Sequence, residues 1–387
     1  MRDVYVLGVG QTFFGKQPLL TAADLGAQAA NLAIKDCGIS PKDLQRAYCG
    51  SVYSQPTIAQ AILVRVGVNS IPAYTVENAC ASGSSAVDLL YRDIAMCGCE
   101  VGMAIGVESM SAFSRKIGGK GLLTTEGDIH GEQGMSTVSY FAGIANLLMS
   151  ESGATLEDLA YAAVKNHING SKNPLAQYRK IFTTEDILNS AMIVNPITAY
   201  MCCPQSDGAA AIILCSKEYY EKHKKDSRPP VKIAASVIAS GGAEDAGYNQ
   251  LEMKNLINGC KQAYEMAGIG PEDLNVIELH DAFSNEELAA YEMMGICPKG
   301  EGVAFARSGA AEIGGRIPVN PSGGLLSMGH PLGASGVRVV NDIAKQLWGE
   351  AGDNQVEGAK VGMAEMLGGL LSTIETSPIA GLQILTK

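Results

Sequence analysis

The feature of this sequence that most constrains its fold is an internal repeat. The segment GISPKDL at 38–44 recurs as GIGPEDL at 268–274. In both copies an amphipathic helical pattern precedes the motif and a short apolar run follows it, which predicts a helix ending at glycine, a turn and then a strand. Two further segments repeat in the same order, VYVLGVG (4–10) as VKIAASV (231–237) and the VGMA of 101–104 at 361–364. Three ordered matches predict a duplicated chain.

The duplication divides the chain into an N-terminal half, 1–228, and a C-terminal half, 229–387. The boundary falls at KHKKDSRPP (222–230), where a basic run and two prolines interrupt regular structure. Strand and helix patterns alternate in each half, which predicts an α/β fold with mixed sheets covered by helices. The first half also carries an insertion at about 112–200, and its polar, turn-rich character is typical of a lid or substrate loop.

Composition excludes several classes of partner. The chain has 40 acidic and 29 basic residues, a net charge of −11, and no Lys/Arg stripe. It is therefore predicted to bind neither nucleic acid nor an anionic membrane. No apolar run reaches about 18 residues and no secretory signal is recognisable, so a soluble, cytoplasmic protein is expected.

The cysteines and an N-terminal glycine pair indicate no resident metal or nucleotide cofactor. In a chain without a secretory signal the ten cysteines are expected to be reduced thiols. They form no paired CxxC units, so no metal site is predicted. Gly8 and Gly10 begin like a dinucleotide fingerprint, but Phe13 stands where the third glycine belongs, which argues against a nicotinamide site.

The first candidate for chemistry is Cys80, in VENACASGSSAV at 76–87. Here a strand end is followed by a cysteine and then by small residues that open a helix. Small side chains allow a sharp turn, and a helix N-terminus stabilises a thiolate placed there. Cys80 is thus a candidate nucleophile; a small cysteine packed under the turn is the alternative.

Two histidines accompany this cysteine. His330 lies in NPSGGLLSMGHPLGASG (320–336), which precedes a helix at the corresponding place of the second half. A two-fold packing of the halves would bring Cys80 and His330 face to face, and a Cys/His pair is the minimum for an activated thiol. His280, in ELHDAFS at a predicted strand end, could hold water or donate to an oxyanion. The alternative for that segment is a capping cluster, with Ser284 and Glu287 forming a capping box.

These motifs together resemble the thiolase superfamily. The resemblance rests on NACASGSSA around Cys80, HDAF at 280–283 and the glycine-rich segment around His330, in that order. The HDxF form, with KNHINGSKNP (165–174) and CPQSDGAAAIIL (203–214), is similar to thiolases of the sterol-carrier-protein (SCP2) type. The resemblance implies a duplicated five-layer α-β-α-β-α fold with two mixed sheets, a homodimer, a β-ketoacyl-CoA substrate and coenzyme A as co-substrate, with no tightly bound cofactor.

The resemblance also implies roles for individual residues. Cys80, activated by His330, would attack the keto group of a 3-oxoacyl-CoA and form an acyl-enzyme that coenzyme A then cleaves. Two oxyanion sites are needed, and by resemblance His280 and His330 serve the enolate, while the N–H groups of Cys80 and of a glycine near Gly368 serve the attacked carbonyl. Further predicted substrate or oxyanion contacts are Ser322 and Gly324.

The sequence departs from thiolases in its acid/base. The family uses the cysteine of a C-terminal CxG or of HDCF, whereas this chain has AEMLGG at 364–369 and Ala282. Another residue substitutes, solvent or substrate supplies the proton, or the chain is not a competent thiolase. Glu365 is the proposed substitute, because a desolvated carboxylate has a raised pKa; a structural role is the alternative. Cys202 and Cys203 are further candidates, interpreted as structural.

The remaining predictions concern partners, substrates and other histidines. The HDAF form resembles bacterial and archaeal thiolases that work beside a small zinc-ribbon/OB-fold protein, with acetoacetyl-CoA or the 2-benzoylsuccinyl-CoA of anaerobic toluene degradation as candidate substrates. The alternative functions are a non-catalytic acyl-CoA- or lipid-binding subunit and a decarboxylating ketoacyl synthase. His130, His167 and His223 lie in polar segments and are predicted to be solvated.

Overall fold

A computed structural model describes residues 2–112, 136–241, 251–369 and 378–387. Its strands are β1 (Val4–Gln11), β2 (Ala47–Gly50), β3 (Ala73–Val76), β4 (Val101–Ser109), β5 (Met192–Val194), β6 (Ile197–Thr198), β7 (Asp207–Ser216), β8 (Lys232–Ser240), β9 (Val276–Glu278), β10 (Val361–Gly368) and β11 (Ile379–Thr386). Its α-helices are α1 (Ala22–Cys37), α2 (Ile58–Val66), α3 (Ser82–Ala95), α4 (Thr137–Glu151), α5 (Leu156–Lys172), α6 (Thr184–Leu188), α7 (Lys217–His223), α8 (Lys254–Ala267), α9 (Ser284–Met293), α10 (Gly302–Arg307), α11 (Gly324–Met328) and α12 (Leu332–Trp348).

The strand order shows the duplication directly. The sheet runs β3-β2-β4-β7-β1-β8-β11-β10-β9, so that from the centre outward the first half places β1, β7, β4 and β2 where the second half places β8, β11, β10 and β9. The two half-sheets meet through a single residue pair, Tyr5 with Lys232. Each half is mixed, because β2 and β4 pair in parallel, as do β9 and β10, while the remaining pairs among these strands are antiparallel.

The repeated GIxPxDL motif has the same local structure in both halves. Gly38 and Gly268 end α1 and α8 in the left-handed conformation, with φ of 74° and 69°. A glycine adopts this conformation without steric cost. Each motif then forms a short 3-10 turn, Pro41–Asp43 or Pro271–Asp273, before the chain enters β2 or β9. The prediction of helix, turn and strand is confirmed in both copies.

Two helices that begin beside the candidate motifs pack between the half-sheets. These are α3, which follows Cys80, and α12, which follows His330. A β-carbon added at Gly83 of α3 would lie 2.7 Å from Gly333 O of α12, so the backbones cross in direct contact. Helices α1 and α2 cover the outer face of the first half-sheet, and α8 covers that of the second. This order of layers agrees with the predicted five-layer fold.

The insertion predicted at about 112–200 contains α4, α5, α6 and the β5–β6 hairpin, and α5 packs on α9 and α11 of the second half. Its residues 113–135, including His130, lie outside the described part of the chain. None of the described helices combines the length and the apolar character needed to span a membrane.

Candidate active site

The loop that carries Cys80 is tied into a fixed shape by short polar side chains. Asn78 donates from its backbone N–H to Ser82 Oγ (2.9 Å) and from its side chain to Ser85 Oγ (2.8 Å). Ala79 has a positive φ of 48°, an uncommon conformation for a residue other than glycine. Strained conformations of this kind are concentrated at functional sites. Cys80 is half-buried and lies two residues before the first residue of α3.

The structure brings Cys80, His280 and His330 together from three distant parts of the chain. The ligand-type atoms of the three residues, the thiol sulfur and one ring nitrogen from each histidine, all lie within 4.8 Å of one another. The two imidazole rings stand edge to face, with centroids 5.2 Å apart. Both histidines are buried, and the Nε2 atom of each has no hydrogen-bond partner within the described structure. The repeat predicts that Cys80 and His330 come together when the two halves pack, and the structure adds His280 to this pair.

His330 is held in the form that a base requires. Its Nδ1 lies 2.8 Å from Ser335 Oγ, and the Ser335 hydroxyl donates to Pro331 O (3.1 Å). The hydroxyl therefore accepts the Nδ1–H of the ring, which leaves a lone pair on Nε2. Burial, then the charges of His280 and Arg338, lower the pKa of His330 well below its usual 6.5. The ring is therefore neutral at neutral pH.

His280 is held in the opposite charge state. Its Nδ1 lies 2.7 Å from the Glu286 carboxylate, whose other oxygen accepts the Ala282 N–H (3.1 Å). Burial by itself lowers the pKa of His280, but the Glu286 carboxylate and the Cys80 thiol outweigh it, and the pKa is raised well above 6.5. A cationic His280 beside a neutral His330 provides one proton donor and one base next to the thiol.

Replacing Glu286 by glutamine is expected to move the alkaline limit of activity to lower pH. His280 stays protonated below its raised pKa and loses its proton as the pH rises through that pKa. Without the Glu286 carboxylate, burial lowers the pKa of His280, so the proton is lost at a lower pH. The rate of Glu286→Gln should therefore fall at neutral pH and recover toward acid pH. The pH profile of acylation measures this, with the exposed Glu185→Gln as control; an unchanged alkaline limb would contradict the assignment.

Glu365 is buried and binds the backbone beside His280. Its Oε2 accepts the His280 N–H (2.9 Å), while Oε1 has no partner within the described structure. Burial raises the pKa of Glu365 to about 8. Along β10 the missing β-carbons of Gly362 and Gly368 face α12 and the Cys80 loop. Because side chains alternate along a strand, Glu365 points to the opposite face of the sheet.

Gly368 lies directly against the nucleophile loop. A β-carbon added there would lie 2.5 Å from Asn78 O and 2.7 Å from Ala81 N, so no larger residue fits without moving the loop. This contact places the Gly368 backbone beside the segment that carries Cys80, as the predicted oxyanion role requires.

Ser322 and Gly324 belong to a buried polar network rather than to the Cys–His cluster. Ser322 donates to Glu278 Oε2 (2.6 Å) and accepts from Arg338 (2.7 Å). Gly324, with a φ of 59°, leaves room for the Asp281 carboxylate, which accepts the Leu325 N–H (2.5 Å). The described contacts of these two positions are therefore with Glu278, just before the HDAF segment, and with Asp281 within it.

Two positioning residues are not evident from the sequence, Glu286 and Ser335. Each stands five or six positions after the histidine that it orients, in the first turns of the following helix.

The predicted capping box of Ser284 and Glu287 at the start of α9 is wrong. Ser284 Oγ is buried without a partner in the described structure, and Glu287 instead pairs with Lys165 (3.0 Å). Glu287 belongs to a buried polar network between α5 and α9, and the local sequence does not reveal that network.

The predictions for two other histidines have different outcomes. His223 is exposed, as predicted. The prediction for His167 is wrong, since its ring is 1% exposed and packs on Phe182 (4.7 Å between centroids), and burial lowers its pKa to about 4. The polar face of α5 is covered by the 176–201 segment, which hides side chains that the sequence alone assigns to solvent.

Cys202 and Cys203 lie against the HDAF segment. Cys203 N–H donates to Ala282 O (2.8 Å), and Cys202 forms a β-bridge with Phe283. Both cysteines are half-buried. Burial, then the nearby Cys202 and Cys80 thiols, raise the pKa of Cys203 well above 9. Cys203 is thus a protonated thiol beside the position where HDCF thiolases carry theirs.

Family models match both halves of the chain. Residues 4–218 match the thiolase N-terminal domain and residues 246–379 match a thiolase C-terminal-domain-like model. The fold and the Cys–His–His cluster therefore define an acyltransferase enzyme of the thiolase type. The chain belongs to the thiolase family.

Individual relatives are similar over almost the whole chain. The benzoylsuccinyl-CoA thiolase subunit BbsB of Thauera aromatica is 37% identical over 95% of both chains. An acetyl-CoA acetyltransferase of Methanothermobacter thermautotrophicus is 38% identical over 95% of this chain and 97% of its own. Human sterol carrier protein 2 is 34% identical over 95% of this chain and 70% of its own length. The predicted superfamily and SCP2-type resemblance is confirmed.

Solved structures share the fold. A structure described as the Ltp2-ChsH2(DUF35) aldolase superposes with a TM-score of 0.81 at 24% identity, covering 98% of this chain and 97% of that one. Human mitochondrial 3-ketoacyl-CoA thiolase superposes with a TM-score of 0.74 at 19% identity, covering 100% and 99%. At these identities the likeness establishes the fold alone, and the predicted fold class is confirmed.

Proposed function

We propose that this enzyme cleaves a 3-oxoacyl-CoA with coenzyme A through an acyl-enzyme on Cys80. The observation that carries the proposal is the convergence of Cys80, His280 and His330 within 4.8 Å, with both Nε2 atoms free of other hydrogen bonds in the described structure. A nucleophile, a neutral base and a cationic donor are the groups that this chemistry needs.

The first half-reaction forms the acyl-enzyme. Nε2 of neutral His330 takes the thiol proton, and Cys80 sulfur attacks the 3-keto carbon. The bond between carbons 2 and 3 then breaks, and its electron pair passes into the thioester as an enolate. His280 and the now protonated His330 both carry an Nε2–H that can donate to the enolate oxygen. The N–H groups of Cys80 and the Gly368 segment are proposed for the oxyanion formed on the attacked carbonyl.

The second half-reaction returns the acyl group to coenzyme A. The coenzyme A sulfur attacks the Cys80 thioester, loses its proton, and leaves with the acyl group. This step and the protonation of the enolate both require an acid/base, for which Glu365 and Cys203 are proposed. Cys203 stands beside Ala282 and retains its proton at neutral pH, whereas the described contact of Glu365 is to the His280 backbone.

Paired variants separate these two proton carriers. We expect Cys203→Ala to slow thiolysis by about 10²–10⁴-fold, the usual contribution of general acid–base catalysis. Glu365→Gln keeps an acceptor for the His280 N–H and should lose less than about tenfold. Steady-state kcat measures both, with Cys202→Ala as the matched thiol control. A large loss only in Glu365→Gln would assign the role to Glu365.

Substrate and partners are proposed from relatives and surface features. Acetoacetyl-CoA and 2-benzoylsuccinyl-CoA remain the candidates, in keeping with the names of two relatives. BbsB is named a subunit, and the aldolase structure pairs Ltp2 with ChsH2(DUF35); both support a small zinc-ribbon/OB-fold partner.

Strand β3 supports a homodimer, because it is a sheet edge whose Tyr74 is 49% exposed, and such edges are normally covered. The free cysteines support a cytoplasmic location, because disulfides are rare in reducing compartments.

The deciding experiment is mass spectrometry of the protein after incubation with 3-oxoacyl-CoAs. We expect an acyl adduct on the Cys80 peptide with one short-chain or aromatic substrate, its removal by coenzyme A, and no adduct with coenzyme A alone. No acylation across short, branched and aromatic substrates, with the small partner protein present, would overturn the proposal in favour of a non-catalytic acyl-CoA- or lipid-binding subunit. Release of CO₂ from a malonyl thioester would instead identify a decarboxylating ketoacyl synthase.

A further inference from the structure

We propose that the reduced enzyme binds one thiophilic divalent cation of the Zn²⁺ class through Cys80 Sγ, His280 Nε2 and His330 Nε2, and that the bound ion blocks acylation. The block rests on the proposed function, whereas the binding does not. This inference departs from the sequence-based expectation of no metal site.

The three donor atoms are close enough to share one ion. The Cys80 sulfur and one ring nitrogen from each histidine lie within 4.8 Å of one another. Nδ1 of each ring is already hydrogen-bonded, which leaves Nε2 as the donor to an ion. In a tetrahedral site with Zn–S near 2.3 Å and Zn–N near 2.0–2.1 Å, ligand atoms are about 3.3–3.6 Å apart. Closing the cluster requires shifts on the order of 1 Å, which side-chain rotations can supply. One thiolate and two imidazoles with a fourth position for water form a donor set that suits Zn²⁺.

The environment of each histidine matches that of a metal ligand. In metal sites the ring nitrogen that does not bind the ion donates to a carboxylate, carbonyl or water, which fixes the ring. Here His280 Nδ1 is held by Glu286 at 2.7 Å and His330 Nδ1 by Ser335 at 2.8 Å. Both Nε2 atoms are buried without a partner in the described structure, so the ion displaces no protein hydrogen bond from them.

Charge and access also favour a dication. The Cys80 thiolate and the Glu286 carboxylate together supply two negative charges within or directly behind the ligand set. Binding forms one Zn–S and two Zn–N bonds and releases to solvent the thiol proton and the proton on His280 Nε2. Cys80 is half-buried and reachable from solvent, so ion and substrate compete for the same sulfur.

The separation of the ligands explains why sequence spacing does not predict them. Cys80 comes from the first half and both histidines from the second, far apart along the chain. Zinc motifs recognised from sequence place paired ligands a few residues apart.

The test uses Co²⁺ as a spectroscopic probe of the metal-free, reduced full-length protein. We expect one equivalent to give a thiolate-to-cobalt charge-transfer band and the intense visible bands of four-coordinate cobalt. Zn²⁺ should abolish both by displacement. Cys80→Ala should lack the charge-transfer band, and His280→Ala and His330→Ala should weaken binding. The exposed Cys97→Ser and His223→Ala serve as controls and should bind as wild type.

The outcomes distinguish this inference from the proposed function. A charge-transfer band that persists in Cys80→Ala, or the absence of any band in wild type, overturns the metal site. Acylation is measured separately, in chelator, by the mass of the Cys80 peptide. Acylation without cobalt binding overturns only the metal site, and cobalt binding without acylation overturns only the proposed function. Acylation that proceeds undiminished with the ion bound overturns the block.

Discussion

Cys80→Ala is expected to abolish acylation and to lower thiolysis by on the order of 10⁴-fold or more, because the covalent route has no other attacking atom. Within the described structure, Cys80 is the only cysteine in the cluster with His280 and His330. The measurement is the acyl mass on the intact protein together with steady-state thiolysis. Alanine fits the half-buried loop, so the thermal unfolding midpoint should change little.

Two controls make the Cys80 result specific. Cys97→Ser changes an exposed thiol just beyond the end of α3 and should leave both the adduct and the rate intact. Cys203→Ala removes the thiol beside Ala282 and should slow turnover while Cys80 still accepts an acyl group. An acyl adduct of unchanged yield in Cys80→Ala would show that another residue is the nucleophile.

His330→Ala is expected to reduce the rate of acylation by about 10²–10⁴-fold, the usual contribution of a positioned base. The tautomer set by Ser335 directs the Nε2 lone pair of His330 into the cluster, and the lowered pKa keeps that lone pair available throughout the neutral range. The loss should therefore be nearly constant between about pH 6 and 8. Single-turnover acylation across this range measures it.

Rescue distinguishes loss of a base from loss of structure. Imidazole added to His330→Ala should restore part of the acylation rate if the missing group is a base, and should restore nothing if the cavity has collapsed. His223→Ala provides a matched control, because that histidine is exposed. A His330→Ala enzyme that retains its rate within about threefold would remove His330 from the chemistry.

Much of the architecture could be predicted because its causes are local. Gly38 and Gly268 need a left-handed conformation, and Pro41 and Pro271 begin the turns that follow. Glycine and proline at fixed spacing reveal these local conformations. The repeat, the alternation of helices and strands, and the duplicated fold can therefore be predicted from the sequence. The 4–10 and 231–237 segments likewise form β1 and β8, the neighbouring strands at which the two half-sheets meet.

The supporting residues of the site could not be predicted in the same way. Ser322 is predicted to contact substrate or an oxyanion, and the sequence does not reveal that its hydroxyl is bonded to the buried Glu278 and Arg338. The polar neighbours of His167 predict a solvated ring, yet those neighbours form a buried network with the second half. Both differences arise because burial depends on which distant segment covers a residue.

The sequence by itself determined that the chain is duplicated, that Cys80 and His330 stand before equivalent helices, and that the family's usual acid/base cysteines are absent. Only the tertiary structure decided that these two residues and His280 converge and that Cys203 lies against Ala282. It also decided that Glu286 raises the pKa of His280, whereas burial lowers that of His330. The physical reason is that residue type and spacing specify local conformation, whereas pKa and reactivity depend on burial and on charges a few ångströms away, which tertiary packing alone brings into contact.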